Sequence, residues 1–537
     1  TVPELPACYF VREDDLRSLK DALLTGNCNS TALTSVTKKK KQNKVGAHGM
    51  GGVGKTTIAC ALVEDEDIRK SFDRIVWVSV GQEPDLRELQ DSIHFQLQAS
   101  GLPENAQAER DIMQALRNAA KGLNVLLVLD DVWDGVHEKS LHCIEEDNSS
   151  RLLVTTRIRG LLKNSMEVDV GTLSQADALE LLITAADMSW DGADEDSEEY
   201  QIALEIVELC GRLPLTLSIA DGMIRNNTDG LTDELLNLMK EDHLREQDDE
   251  EEGGVTLEDR VIASSLKMMK TKNKEQVEKV FHFFAVFPED VPVPASFFTV
   301  FAPMLADQQN GAKAKISVGA ALSTLLKYNL IKGSLTAGLG VFMHDIVRDF
   351  VRAQHSVEEL HGLQKNVVET IFAARPEGGF QSAVFTTLGS FEGYVARQMF
   401  WHFRGALAEG EEPPDSWLVH PDKVMRANVT MAVGVDELVA LSKSREEAGE
   451  LVRAARASWV ASSCKAIAAS AYNDLLYCTT DLLERANDAE ARAFEMEVLS
   501  VAWVADMGSE RNQRACKRQA ELGASQVTWE AQLGIGM

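Results

Sequence analysis

The segment Gly49-Met-Gly-Gly-Val-Gly54-Lys55-Thr56 constrains this chain more than any other part of it. It follows the apolar run Val45 to His48, which reads as a strand, and it runs straight into a helix-compatible stretch. The spacing G-x-x-x-x-G-K-[ST] between a strand and a helix makes a phosphate cradle: bare glycine backbone wraps the anion with N–H groups, and the helix N-terminus adds a favourable field. Gly49, Gly51, Gly52 and Gly54 would line the cradle, with Lys55 reaching the β and γ phosphates of a nucleotide. Thr56 would ligate Mg²⁺, and Thr57 beside it belongs to the same binding turn.

Two further segments fit that chemistry. Leu126-Leu-Val-Leu-Asp130-Asp131 reads as a strand buried on both faces that delivers acids at its end. Asp130 is expected to hold the metal and Asp131 to polarise an attacking water. Leu152-Leu-Val-Thr155-Thr156-Arg157 is a second buried strand, with a cation at its end placed to sense a γ-phosphate. Alone, Arg157 would read as a surface charge; its order after the other two segments argues for the site.

The surrounding pattern predicts a parallel α/β sheet covered by helices, with strands at Val45 to His48, Arg74 to Val80, Asn124 to Val132, Ser150 to Thr156 and Met166 to Val170. Apolar residues at helical spacing lie between them, over Asp85 to Ala99 and Arg110 to Ala120. After Leu173 helical periodicity takes over, at Ala178 to Ala186, Tyr200 to Leu209 and Glu234 to Lys240. A third, helical part carries a possible strand pair around Leu330 to Met343, an order that suits a winged helix. Beyond His355 the chain is Ala-rich and helical; Trp459 and Trp503, in similar settings, suggest a helical repeat, and no leucine-rich repeat pattern appears. The expected division is 1–172, 173–254, 255–355 and 356–537.

Composition excludes several classes. At 537 residues the chain exceeds a single core, since a domain holds roughly 100 to 200 residues. With 45% hydrophobic and 26% charged residues, and no apolar run near the roughly 18 residues that cross a bilayer, no membrane span is expected. A formal net charge of −30 disfavours nucleic acid as a partner, because that affinity rests on clustered Lys and Arg. The acidic runs Asp191 to Glu199 and Glu246 to Glu252, and the Lys38 to Lys41 run, read as solvated loops or linkers. Eight scattered cysteines without metal-ligand spacing predict reduced thiols and a cytoplasmic setting. Thr1 in place of Met, with motif-like sequence almost at once, predicts a partial chain lacking an upstream domain.

In order along residues 5 to 352, these segments and four others resemble the NB-ARC family of signal-transduction (STAND) P-loop ATPases, which includes plant disease-resistance proteins and animal apoptosis activators. The others are Phe72-Asp-Arg-Ile-Val-Trp-Val-Ser79, Cys210-Gly-Arg-Leu-Pro214-Leu, Phe283-Phe-Ala-Val-Phe-Pro-Glu-Asp290 and Met343-His344-Asp345. The resemblance implies a nucleotide-binding domain, a helical domain and a winged-helix domain that close over ADP and open with ATP. It implies that Pro214 packs near the adenine, that His344 touches the β-phosphate, and that changing His344 or Asp345 loosens ADP. It further implies a slow ATPase at most, a defence or stress-sensing role, self-association when ATP-bound, and protein partners on the C-terminal helices.

The chain departs from the family pattern twice. Arg212 stands where Gly is common, with Gly211 one place earlier, and Phe10-Val11-Arg12-Glu13 lacks the Gly of the family's opening motif. Two rival readings stay open on the residues alone: a steady-turnover P-loop ATPase or kinase, and a STAND-type transcription regulator.

Overall fold

The computed structural model describes residues 9–35 and 51–461, apart from 11, 26–29, 83, 104–105, 107, 145–148, 163–164, 186–196, 228–229, 245–255, 270, 272, 290, 307–310, 337, 375–388, 409 and 419–422. Val2, Pro3 and Leu5 precede these, and scattered positions between 478 and 498 follow. The expected strand Val45 to His48, the residue Gly49, the Lys38 to Lys41 run, residues 191–196 of the first acidic run, the whole second acidic run and Trp503 lie outside the described residues. The chain divides into two compact units: 1–278 with 320–332 and 343–350, and 279–319 with 333–342 and 351–537.

The first unit is built on a five-stranded parallel sheet in the order β2-β3-β4-β1-β5. The strands are β1 Ser30–Ser35, β2 Arg74–Gly81, β3 Val125–Val132, β4 Arg151–Thr155 and β5 Met166–Val170. Four lie where the alternation of β-branched runs and helices put them. The strand β1 was not expected: four of the six residues of its sequence STALTS carry hydroxyls. The Thr34 hydroxyl is accommodated inside, however, Oγ1 donating to Asp169 Oδ1 at 2.8 Å.

Because successive side chains alternate faces, β3 feeds two cores at once. Leu127 and Leu129 pack on one face with Val76, Val78, Leu152 and Val154. Helices Leu86–Gln98 and Glu109–Ala120 cover that face through Ile93, Leu97, Ile112 and Leu116. Leu126 and Val128 pack on the other face with Leu33, Trp77 and Leu153, beneath helices Glu13–Thr25 and Lys55–Glu64. Burial on both faces forces every polar function of β3 to its C-terminal end, where Asp130 and Asp131 sit.

Helices Gln175–Ala185, Glu198–Leu209, Pro214–Asn226, Asp233–Leu244 and Leu257–Met268 complete the run after the sheet. Pro214 opens its helix at the first-turn position, where the missing N–H costs nothing. On that helix, Gly222 lies so close to the Tyr328 backbone that a Cβ there would meet it at 2.7 Å. Asn329 then fastens the joint, its Nδ2 donating to Ser218 O at 2.6 Å.

The second unit has an aromatic core. Phe283, Phe284, Phe287, Phe297, Phe298 and Phe301 interlock at ring-centroid distances of 4.6–6.4 Å. A buried polar chain runs beside them: Tyr394 Oη meets His402 Nε2 at 3.0 Å, His402 Nδ1 meets Gln364 Oε1 at 2.7 Å, and Gln364 Nε2 donates to Val286 O at 2.8 Å. The pair β6 Lys332–Ser334 and β7 Gly340–Phe342 falls in the stretch expected to hold a strand pair. From Val357 to Ala461 the described elements are all helices.

Candidate nucleotide-binding site

The site lies in the first unit, at the C-terminal end of β3 and β4. Gly52 and Gly54 take φ of 68° and 91°, the left-handed region that glycine enters without penalty, so the loop curls before helix Lys55–Glu64. That helix begins on Lys55, Thr56 and Thr57 and has no acidic residue in its first turn, leaving its N-terminal field for an external anion. The Lys55 side chain is buried, and among the described residues its ammonium makes no hydrogen bond or ion pair. Desolvation, reinforced by the nearby Arg157 charge, lowers its pKa to about 8. A buried cation without a paired carboxylate suits a phosphate ligand.

The metal position has a similar logic. Thr56 Oγ1 donates to Asp130 Oδ1 at 2.9 Å, bringing a hydroxyl and a carboxylate together as an oxygen-seeking divalent ion requires. Thr155 Oγ1 donates to the same carboxylate oxygen at 2.6 Å and accepts from the Asp131 N–H at 2.8 Å. One hydroxyl on β4 thereby orients both acids of β3. The residues present fit a nucleotide phosphate with Mg²⁺.

Asp131 sits at φ 55° and is held by Trp133, whose Nε1 donates to Oδ2 at 2.8 Å. Arg157 stacks over the Trp133 ring at 5.0 Å and keeps its Nε 3.8 Å from Asp131 Oδ1. Its strongest partner is Asp345, an ion pair through Nη2. His344 Nδ1 lies 2.5 Å from the other Asp345 oxygen, Oδ1. Desolvation and the positive charges of Lys332, Arg157 and Lys55 hold the imidazole of His344 well below its ordinary pKa.

Pro214 and its neighbour also reach the loop. Leu215 N–H donates to Gly52 O at 3.3 Å, and the Pro214 ring lies 3.9 Å from where a Gly54 Cβ would be. A Cβ on Gly52 would meet Leu215 Cβ at 2.9 Å, and one on Gly51 would collide with Ile346. The turn that presents Pro214 survives Arg212: Gly211 and Arg212 both take left-handed φ, 60° and 54°.

Of the expected residues, Gly51, Gly52, Gly54, Lys55, Thr56, Asp130, Asp131, Arg157, Pro214 and His344 meet around one cleft end, and Thr57 lies in the same first turn. Thr155, Trp133 and the Arg12 guanidinium were not assigned a part by sequence. Thr155 lies within the segment Leu152 to Arg157, but nothing in spacing tells a strand-end hydroxyl that orients a neighbour from one that is merely buried.

Left-handed glycines opening a helix, beside an acid-bearing strand of a parallel sheet, define a P-loop nucleotide-binding protein. Residues 30–191 match the family model of the NB-ARC domain. Over that stretch the chain is similar to the signal-transduction P-loop ATPases of that family. A probable disease resistance protein of Arabidopsis thaliana is 28% identical over 327 residues, 58% of this chain and 34% of the relative. Disease resistance RPP13-like protein 4 of Arabidopsis thaliana is 26% identical over 297 residues, 52% and 32% of the two chains. The chain thus spans about a third of the length of the curated relatives it matches. In fold it is similar to the crystal structure of a signal transduction ATPase with numerous domains (STAND) with a tetratricopeptide repeat sensor from Pyrococcus horikoshii. That likeness has a TM-score of 0.53 at 14% identity and covers 97% of this chain and 72% of the other. No helix among the described residues is long and apolar enough to cross a membrane.

Proposed function

We propose that the chain is an ADP/ATP switch of NB-ARC type in defence or stress signalling, at rest with ADP and open for signalling with ATP. The observation that carries this reading is the position of Asp345: its carboxylate, from the segment after β7, occupies the Arg157 guanidinium at the edge of the phosphate loop. Arg157 can pair either with this internal carboxylate or with a γ-phosphate, and the two anions compete for one cation. With ADP, Asp345 keeps Arg157, and His344 lies beside the β-phosphate. With ATP, Arg157 changes partner and the His344-Asp345 segment is released.

Gly49, Gly51, Gly52, Gly54, Lys55, Thr56 and Thr57 hold the phosphates, Pro214 packs near the adenine, and Thr56 with Asp130 holds Mg²⁺. Asp131 positions water for slow hydrolysis that resets the switch. Swinging a two-state population from 1:99 to 99:1 needs about 5.5 kcal/mol of differential binding, within the range of a charged phosphate exchanging partners in a desolvated cleft. The modules are taken as 1–172, 173–254, a winged-helix-like 255–355 and 356–537, in a cytoplasmic protein that self-associates when ATP-bound and meets protein partners through its C-terminal helices.

The test is to purify the chain without added nucleotide, denature it and identify what it carried. Stoichiometric ADP supports a resting switch. An empty protein that turns over ATP rapidly refutes it.

A further inference from the structure

Helices Leu86–Gln98 and Glu109–Ala120 enclose an open cleft of about 620 Å³. His94 and Gln98 line it from the first helix, Asp111, Gln114 and Asn118 from the second. The chain at its rim is pinned in place: Ala99 takes φ 55°, Leu102 N–H donates to Asp91 Oδ1 at 2.7 Å, and Arg87 Nη1 donates to Ala106 O at 2.8 Å. Gln98 Nε2 reaches across to Ala119 O at 2.9 Å and ties the two helices together. The cleft is thus built in advance of any ligand, within the roughly 300–1,000 Å³ usual for small-molecule sites.

What its walls leave over is chiefly acceptor. His94 is 7% exposed, and its Nδ1 meets Ser100 O at 2.8 Å. A carbonyl can only accept, so Nδ1 carries the proton of the neutral ring and Nε2 keeps a bare lone pair. That nitrogen makes no hydrogen bond among the described residues. Gln98 and Gln114 each spend an amide N–H within the protein, Gln114 on Asn118 Oδ1 at 3.0 Å, which leaves their carbonyl oxygens to accept. Asp111 adds a carboxylate, and no Lys or Arg belongs to the lining among the described residues; Arg110 and Arg117 of the same helix lie outside it.

We infer that this cleft is a binding site for a small aliphatic amine, a di- or polyamine whose ammonium groups donate to Asp111, to His94 Nε2 and to the Gln98 and Gln114 carbonyls. An ammonium brings three donors and no acceptor, the complement of this lining. An anion would face Asp111 and a row of lone pairs, and an aromatic ligand would find no large apolar side chain to pack on. The net charge of −30 also raises the concentration of cations around the protein.

The experiment titrates spermidine into the full chain without nucleotide, at physiological salt, by calorimetry and by NMR of the imidazole nitrogens. The variants are Asp111→Asn and Gln114→Ala, both at exposed positions that the fold does not need, and Asp436→Asn, an exposed carboxylate on helix Val435–Glu447 of the second unit. Wild type should take up one equivalent with a Kd on the order of 1 mM or tighter, the range open to so small a ligand, and the His94 Nε2 resonance should move as the site fills. Asp111→Asn should weaken binding about tenfold, as for a lost charge-assisted hydrogen bond, and Gln114→Ala several-fold, with Asp436→Asn equal to wild type. Uptake that does not saturate, or that Asp111→Asn and Asp436→Asn weaken equally, is diffuse attraction to an acidic surface and overturns the inference. So does saturable binding that leaves the His94 resonance unmoved. None of these outcomes depends on the nucleotide reading.

Discussion

Asp345 pairs with Arg157, and no other carboxylate among the described residues lies as near that guanidinium. The Asp345 side chain is 5% exposed and that of Arg157 15%, so removing either leaves the other charge desolvated and unmatched. Asp345→Asn should raise ADP release about tenfold, read with a fluorescent nucleotide, while keeping the fold. A release rate equal to wild type would remove the latch from the account.

Lys55 gives a prediction of opposite sign for stability and binding. Its desolvated ammonium costs the nucleotide-free protein free energy, so Lys55→Met should leave that form as stable or up to about 2 kcal/mol more stable. The same variant should lose the MgADP-induced rise in Tm. Urea unfolding without nucleotide, set beside thermal shifts with it, separates the effects; a nucleotide-free Lys55→Met that is much less stable contradicts the desolvation argument.

Arg212 occupies a conformation that costs an L-residue about 1–2 kcal/mol and glycine nothing. Part of the gain from Arg212→Gly is lost to the freer unfolded chain, and the Arg212–Glu208 pair, 3.8 Å apart and solvated, adds little against it. The expected net is roughly 1 kcal/mol of stabilisation in urea. A destabilised variant would mean that the arginine makes up for its strain elsewhere.

His402 should make the second unit sensitive to acid. Burial lowers its pKa to about 3, against an ordinary value of about 6.5. Between these values the unfolded chain takes up a proton that the folded one refuses, so stability is unaffected above about pH 7 and falls as pH drops below 6.5, by up to about 1.4 kcal/mol per pH unit. Urea midpoints at pH 7.5 and 5, followed by tryptophan fluorescence, should separate less in His402→Gln than in wild type. Identical separations would place the acid sensitivity elsewhere.

Chemistry was more legible than placement. Lys55, Thr56 and Asp130 could be read because phosphate and metal demand fixed residue types at strand ends, and β3 could be read because burial on both faces demands an unbroken apolar run. The strand β1 could not, since a polar hexamer gains its place only from neighbours, with Thr31 and Thr34 wholly buried between β4 and β5. Arg12 shows a related limit: the lack of a glycine before it was visible, whereas its reach to Val53 and Gly171 depends on how distant backbone is brought together. At Arg212 a glycine common in the family is missing, yet the backbone keeps the left-handed turn, with the strain held in the φ of Arg212 itself.

The placement of β1 bears on how the protein is made. Its register partners begin at Leu152 in β4 and Met166 in β5. At synthesis rates of about 5–20 residues per second, Ser30–Ser35 therefore waits on the order of ten seconds without a neighbour, while β2 and β3 can already pair. The edge strand β5 is the last to arrive, so a nascent chain stalled between Thr155 and Met166 would leave unpaired the β1 edge that β5 covers, a natural point for chaperone capture.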